Sequence, residues 1–326
     1  MASKIREALL SSLTAHKDEF VSGQELAYEA SCTRTAIWKH IEELRRDGFT
    51  IESRRKKGYR LVGRSDLVTE NDILLGLETE QLGRNIVFYQ TLDSTQKIAH
   101  QLAQESAPEG TLVIAEEQKT GRGRMSRQWY SPPGTGIWMS LLLRPELPPQ
   151  KAPQFTLITS VAIVQAIEEV CGLQVQIKWP NDLLIDGKKI TGILTELQAD
   201  SERIYSLIIG MGMNVNQKQA DFPEELHEIA TSLALAKGEP VSRAKLVQRV
   251  LFHIERYYKM YMDKGFEPIK LLWESYAVTI GKHITARTLH DSISGVALGI
   301  TDEGVLLLED KDGVVHPIYS ADIEWL

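Results

Sequence analysis

Cysteine is nearly absent from this chain. The two present, Cys32 and Cys171, are far apart and sit in helix-like contexts, so they offer neither a metal-ligand spacing nor a disulfide framework. They read as two small buried hydrophobes in a reducing compartment. No stretch approaches the roughly 20 apolar residues of a membrane span. The N-terminal run MASKIREALLSSLTAH is amphipathic and charged, without the apolar h-region of a secretory signal. A cytoplasmic protein is expected. There is no internal repeat and no low-complexity linker, and 43% hydrophobic with 25% charged residues excludes a largely disordered chain. The G-x-x-x-x-G-K-[ST] sequence is missing, which excludes a P-loop. Gly210-Met211-Gly212-Met213-Asn214 contains G-x-G but no Rossmann helix follows it, so it reads as a strand end.

What is present divides by charge. The 326 residues suffice for two or three domains, and the net charge is −7. Residues 1–64 nevertheless hold 13 Lys and Arg against 9 Asp and Glu, leaving 24 against 35 in the rest. A basic head on an acidic body directs only the head to nucleic acid.

The head, 1–64, reads as three helices and a short hairpin. Ile5, Leu9, Leu10 and Leu13 fall at helical spacing. A short helix over Gly23–Ala30 turns Leu26 and Ala27 inward. A third begins at Cys32 or Thr33, buries Ala36, Ile37, Ile41 and Leu44, and stops at Asp47-Gly48. Extended runs at 51–53 and 59–61 flank the basic turn Arg54-Arg55-Lys56-Lys57-Gly58. This is the winged helix-turn-helix pattern. Thr33, Arg34 and Thr35 would reach base edges, with Arg34 able to make two bonds to guanine. Trp38, Lys39 and His40 lie a turn further on, toward the DNA backbone, and Arg54, Arg55, Lys56 and Lys57 suit phosphates. The bland reading is a solvated basic turn on a small helical domain that docks protein.

The middle, 65–276, reads as a mixed or largely antiparallel sheet with helices. Strands are expected at 86–89, 111–117, 136–143, 174–179, 183–185, 190–198 and 204–215. Asp93–Gln96 reads as a polar turn before a helix over 97–104. Asp72–Leu77 reads as a helix start, and Asp186-Gly187 as a hairpin turn. The helix over 153–171 is apolar nearly all round and therefore buried. A further amphipathic helix spans 242–263. From about Ala277, short strands at 283–288, 294–300, 304–308 and 314–319 predict a small β-barrel over 277–326.

Two motifs carry chemistry. Gly121-Arg122-Gly123-Arg124 combines glycines, which let backbone approach a ligand, with two forked cations suited to phosphate or carboxylate. Lys178-Trp179-Pro180-Asn181-Asp182 ends a strand at a proline that has no N–H to donate, and fixes a cation and a carboxylate there. The pair suits phosphate and Mg2+, though Asn181 and Asp182 are also ordinary turn formers. Lys189 returns on the hairpin partner, where a solvated edge lysine is the alternative. Together these groups fit a site that neutralises two anions, as in activation of a carboxylate by ATP.

AEEQKTGRGRMSRQWYSP, KWPNDL, KKITGILTEL and GMGMNVN, in this order after the winged head, resemble the bacterial bifunctional biotin–protein ligase and biotin operon repressor family, of the Gram-positive type. The resemblance spans the whole chain. It implies an α+β protein: a winged helix-turn-helix, a mixed-sheet catalytic domain like a class II synthetase, and an SH3-like C-terminal barrel. It implies formation of biotinyl-5′-AMP from biotin and ATP, with Mg2+, then transfer to a lysine of a biotin carboxyl carrier protein. Operator DNA is the second partner, bound by a homodimer that forms when the adenylate is present. Ser94, Thr95 and Gln118 match groups on the ureido ring. Arg122, Gly123 and Arg124 match the loop over biotin and adenylate, and Lys189 the lysine at the biotin carboxylate and α-phosphate. Lys178 and Asp182 match the catalytic strand–turn pair, with Asp182 as a Mg2+ contact and no protein cage for the metal. Asn181, Arg127, Trp129 and Asn214 match positions near the nucleotide, and Gly192 a close backbone approach. Arg124, Lys178, Asp182 and Lys189 are thus the expected catalytic residues.

Met125 and Ser126 depart from the more basic, glycine-rich enterobacterial loop, and no longer basic tail follows Trp325-Leu326. Loop closure and a tail contribution to ATP binding are where a difference is expected. The alternatives are a biotin-sensing transcription factor without catalysis, opposed by the intact Arg124, Lys178, Asp182 and Lys189, and a ligase whose head docks protein, opposed by Arg34 and the wing. A lipoate-type ligase shares the fold class, but the GRGR and KWPND pair favours biotin.

Overall fold

The computed structural model describes residues 2–16, 19–46, 49–64, 68–288 and 291–325. It divides into two compact units, Met1–Leu77 with Ser242–Gln248, and Glu78–Val241 with Arg249–Leu326. In the first unit, helices α1 (Ala2–Ala15), α2 (Gly23–Glu29) and α3 (Arg34–Arg46) pack with the hairpin of β1 (Phe49–Arg54) and β2 (Gly58–Arg64). Local sequence sets the helix starts. Ser22 Oγ accepts from Glu25 N at 3.1 Å, and Thr33 Oγ1 from Ala36 N at 3.2 Å, so each satisfies a donor that the helix leaves free. Leu9, Leu10, Leu13, Leu26, Ile37, Ile41 and Leu44 are buried in one core, with Ala27 packed beside it. Ala36 is only half-buried. The helix stop expected at Asp47-Gly48 lies outside the described residues, as do residues 65–67 at the expected first domain boundary. Helix α4 (Glu70–Leu74) starts earlier than its expected place at Asp72, because Thr69 caps it.

The second unit is built on a seven-stranded sheet. Its strands are β3 (Ile86–Leu92), β4 (Leu112–Gln118), β5 (Gly136–Leu143), β6 (Gln176–Lys178), β7 (Asp182–Ile185), β8 (Lys188–Ala199) and β9 (Ile204–Asn214), in the order β3-β4-β5-β9-β8-β7-β6. Only β3 and β4 pair in parallel, joined by α5 (Thr95–Gln104). The turn expected over Asp93–Gln96 is shorter than that: Ser94 is the N-cap, and Thr95 and Gln96 open the helix. Helix α6 (Ala152–Cys171) packs against β8, with Phe155, Ile158, Val161, Val164 and Ile167 buried. By length and composition the stretch Pro149–Cys171 is apolar enough to cross a membrane, which corrects the expectation that none is. Most of it is covered by the rest of the protein, as the core helix of a folded domain is.

The short α7 (Leu233–Lys237) precedes α8 (Arg243–Lys264), and α9 (Glu267–Tyr276) follows it; α7 and α9 were not foreseen. The last 45 residues hold β10 (His283–Arg287), β11 (Ser292–Ile300), β12 (Leu306–Glu309), β13 (Val315–Ile318) and β14 (Asp322–Trp325) in one antiparallel sheet, ordered β13-β12-β11-β10-β14. The sequence reading found four of these. It missed β14, which is short and is recognisable only by its pairing with β10.

Glu255 on α8 anchors the chain entering the sheet. Its carboxylate accepts from the backbone N–H groups of Glu80, Gln81 and Leu82 at 2.8, 2.8 and 2.9 Å. Burial pushes this carboxyl up, but the three donors and Lys259 outweigh it and hold it below its ordinary value. A depressed carboxyl contributes stability that is present above its unfolded value and lost as pH falls through the folded one. Glu255→Ala is therefore expected to cost about 2–4 kcal/mol at pH 7. Urea titrations at pH 7 and pH 3 check this: the gap between variant and wild type should shrink at the lower pH.

Candidate active site and nucleic-acid face

The KWPND turn is where the second unit concentrates charge. Strand β6 ends at Lys178, the Trp179–Pro180 bond is cis, and Asp182 opens β7 directly opposite Lys178. Trp179 is buried; its N–H donates to Thr279 Oγ1 at 3.2 Å and its indole Nε1 to the Gly304 carbonyl at 3.3 Å. Asn181 Nδ2 donates to the Ile193 carbonyl at 3.0 Å, fixing the turn to β8.

Strand β8 returns through Asp186 and Gly187, both at positive φ (49° and 77°), as a tight two-residue hairpin requires. The pairing then shifts by one residue: Ile185 faces Lys188 and Leu184 faces Lys189, but Leu183 faces Thr191 and Asp182 faces Gly192. Side chains alternate along a strand, so Lys189, opposite Leu184, already shares the face of Asp182, and the extra residue Ile190 brings Gly192 to that face as well. There Lys189 Nζ lies 2.7 Å from Asp182 Oδ1. The Lys189 backbone is in turn held by the segment after β9, accepting from Thr231 N and donating to the Ile229 carbonyl.

The same face continues across β9 with few side chains. Gly192 pairs with Gly212, and a Cβ at either would come within 2.7 or 2.5 Å of the Trp129 ring. The two glycines thus make the seat on which Trp129 lies, with Lys189 Nζ 5.1 Å from the ring centroid. Gly192 was expected where the backbone approaches a ligand; in this structure the group that lies against it is Trp129.

Trp129 closes the loop that carries the arginines. Arg124 Nη1 donates to Asn181 Oδ1 at 3.0 Å, and Nη2 to Ser320 Oγ at 2.8 Å. Arg127 pairs with Asp322, and Arg122 Nη2 lies 3.2 Å from Glu196 Oε1. Burial pulls the Arg124 guanidinium below its usual value, opposed by Asp322 and Asp182. Burial also pulls the Lys178 ammonium down, opposed by Asp182 and reinforced by Lys189. The site holds cations at some cost, and an anion would relieve it.

At the other end the site is neutral. Ser94 Oγ is buried with no hydrogen-bond partner. Thr95 donates to Gln118 Oε1 from its backbone N–H (2.9 Å) and its hydroxyl (3.1 Å). Ser140 Oγ donates to Thr95 Oγ1 at 2.8 Å, and Gln118 Nε2 donates to Ser131 Oγ at 3.0 Å. All fourteen residues singled out in the body of the sequence line one cavity of about 520 Å³. They are Ser94, Thr95, Gln118, Arg122, Gly123, Arg124, Arg127, Trp129, Lys178, Asn181, Asp182, Lys189, Gly192 and Asn214. The sequence reading missed Gln96, the apolar wall of Phe222, Leu226 and Ile229, and Asp322 and Trp325 on β14. Nothing in the local sequence marks these; they arrive by tertiary packing. Among the described residues no cluster of three His, Cys, Asp or Glu forms a metal cage.

In the first unit, Arg34, Thr35, Trp38 and Lys39 are exposed on α3, as are Arg54, Arg55, Lys56 and Lys57 on the hairpin. Thr33 is exposed too, although its hydroxyl serves as the cap of α3. Arg54 and Arg60 both stack on Phe20, at 5.2 and 4.8 Å, which stiffens the base of the wing. His40 does not share this face: it is buried and meets Glu43 at 3.0 Å.

Comparison with known proteins matches residues 6–60 to the HTH domain, 87–214 to the Biotin/lipoate A/B protein ligase family and 279–325 to the Biotin protein ligase C terminal domain. The Bifunctional ligase/repressor BirA of Bacillus subtilis is 54% identical over 324 residues, 99% of each chain. That of Escherichia coli is 28% identical, covering 94% of this chain and 92% of its own. The solved biotin protein ligase from Aquifex aeolicus in complex with biotin and ATP is 30% identical, covers 74% of this chain and 98% of its own, and superposes with a TM-score of 0.64. With a basic helix-turn-helix in one unit and a cation-lined cavity in the other, the chain belongs to the bifunctional ligase/repressors of the biotin protein ligase family.

Proposed function

We propose that this protein joins biotin to ATP, transfers the biotinyl group to a lysine of a biotin carboxyl carrier protein, and represses transcription from operator DNA while it holds the intermediate. The observation that carries the reading is one cavity with two chemistries, a neutral polar end at Ser94, Thr95 and Gln118 and a cationic end at Arg124, Lys178 and Lys189. The first suits an uncharged ureido ring, the second a carboxylate beside a triphosphate. In the first step a biotin carboxylate oxygen attacks the α-phosphorus and the bond to the β-phosphate oxygen breaks, releasing pyrophosphate. In the second the acceptor amine attacks the acyl carbon, AMP departs and the amine loses a proton. Lys189 offsets repulsion between the two anions, and Lys178 and Arg124 neutralise charge on the phosphates. Asn181, Arg127, Trp129 and Asn214 lie toward the nucleotide, and Arg122 and Gly123 toward biotin.

Mg2+ is proposed to enter with the triphosphate. Asp182, beside Lys189 in the cavity, is the carboxylate that would touch it, one or two carboxylates being usual for a phosphate-bound magnesium. The domain limits proposed are 1–64, 65–276 and 277–326, and the compartment the cytoplasm.

Incubation with biotin, ATP, Mg2+ and a carrier domain, read by mass spectrometry, tests the ligase. Wild type is expected to add one biotinyl group to the carrier. Lys189→Ala is expected to keep its fold and lose pyrophosphate release by at least about a hundredfold; wild-type release from the folded variant would remove the role given to Lys189.

For the head, a single winged module offers few base contacts, so a homodimer on a two-fold operator is proposed, formed when biotinyl-5′-AMP is bound. Thr33, Arg34 and Thr35 read bases, while Trp38, Lys39 and the wing, Arg54 to Lys57, meet backbone. Arg34→Ala is expected to cost about 1–3 kcal/mol at one operator position and relax preference there. Neutralising Lys56 and Lys57 is expected to weaken all sequences alike and flatten the salt slope by about one unit per lost contact in each subunit. Sedimentation and operator binding with and without biotin and ATP check the coupling; a dimer population that ignores both ligands would refute it.

A further inference from the structure

Glu196 stands outside the cavity lining, yet its carboxylate joins two residues that line it. Oε1 lies 3.2 Å from Arg122 Nη2, on the glycine–arginine loop. Oε2 accepts from Gln96 Nε2 at 3.0 Å and meets His100 Nε2 at 3.1 Å. Gln96 is 3% exposed, and its Nε2 also donates to the Leu194 carbonyl at 3.3 Å. Both amide hydrogens are therefore committed on the β8 side, which leaves Oε1 as the amide's remaining polar atom. That oxygen is buried without a partner. Gly210 lets the amide sit flush with the sheet, since a Cβ there would come within 2.9 Å of it. The carboxylate thus fixes which way the Gln96 amide faces, and also where one end of the loop rests. Its neighbours hold Glu196 ionised: the His100 contact first, then Arg122 and Gln96, keep it below the ordinary carboxylate value against the effect of burial.

We propose that Glu196 is a positioning residue that couples the floor of the biotin end of the cavity to closure of the Arg122 loop. With the amide held in one orientation, its oxygen an unused acceptor, and Arg122 tethered, the cavity is pre-organised for a neutral ligand carrying N–H donors, and the loop closes without first finding a partner. Without the carboxylate, the amide is free to turn and Arg122 has to be ordered at the moment of binding, a cost that appears in affinity and residence time and not in the chemical step. This inference rests on the biotin reading given above.

The test is a double-mutant cycle on the full-length chain, with biotin binding measured by calorimetry, adenylate release by a chase, and pyrophosphate release at saturating biotin and ATP. Glu196→Gln is expected to raise the dissociation constant for biotin and the adenylate release rate about three- to tenfold, with turnover at saturation within about twofold and an unchanged unfolding midpoint. Glu196→Asp, which keeps the charge, is expected to recover part of the loss. In an Arg122→Gln background the same Glu196→Gln change is expected to cost clearly less, because the tether is already gone. Additive losses, or wild-type affinity and release in Glu196→Gln, would overturn the proposal. Should Glu196→Gln unfold, Glu196→Asp with the same readouts decides: wild-type affinity and release in that folded variant also count against it. If the wild type binds no biotin, the functional reading fails first and this inference with it; if it binds biotin but the losses are additive, only this inference fails.

Discussion

Arg124, Lys178 and Lys189 are gathered around Asp182, with Asp322 a second carboxylate beside Arg124 and Lys178, in a cavity of a chain whose body is acidic. Burial already pulls Lys178 and Arg124 down from their usual values. Like charges in such a place also repel, and the Lys189 charge lowers the Lys178 ammonium further. The arrangement is one that anions stabilise, and the proposed reaction brings two of them together. Much of the surrounding structure can be read as the means of holding those cations in place without a ligand.

Three devices do this. The tight hairpin puts Lys189 on the face of Asp182, and the bulge at Ile190 brings Gly192 to the same face. The Gly192–Gly212 pair lets the Trp129 ring lie on the sheet and brings its π face to Lys189. The end of the chain supplies Ser320 to Arg124 and Asp322 to Arg127, so the loop after β4 is tied to residues some two hundred positions away. None of these contacts is worth much alone where the side chains are exposed. Together they define where the loop lies, and loop order is what separates a guarded reactive anhydride from a leaking one.

The legible parts of the sequence were those with a short-range physical signature. Asp186-Gly187 marked a hairpin because both positions take positive φ. The proline of KWPND marked the end of β6, and the apolar periods of the head marked α1 to α3 and their core. The missing parts depend on partners distant in sequence. Strand β14 is four residues long and exists because β10 offers it an edge. Glu196 looks like any polar position on a strand until α5 and the loop converge on it. His40 was placed with its exposed neighbours, but it sits one turn after Ile37 and one before Leu44, on the buried stripe of α3. Gly192 shares the face of Lys189 and Asp182 only through a bulge at Ile190 that no local pattern announced.

The central claim is electrostatic: the cationic end of the cavity exists to bind a carboxylate next to phosphate, and Lys189 is proposed to meet that carboxylate. The most direct test compares calorimetric affinities for biotin and for biotinol, the analogue in which an alcohol replaces the carboxylate, in wild type and in Lys189→Ala. The account predicts that Lys189→Ala weakens biotin by about tenfold or more, at least about 1.4 kcal/mol, while leaving biotinol nearly unchanged. Equal losses for the two ligands, or no loss for biotin, would contradict it.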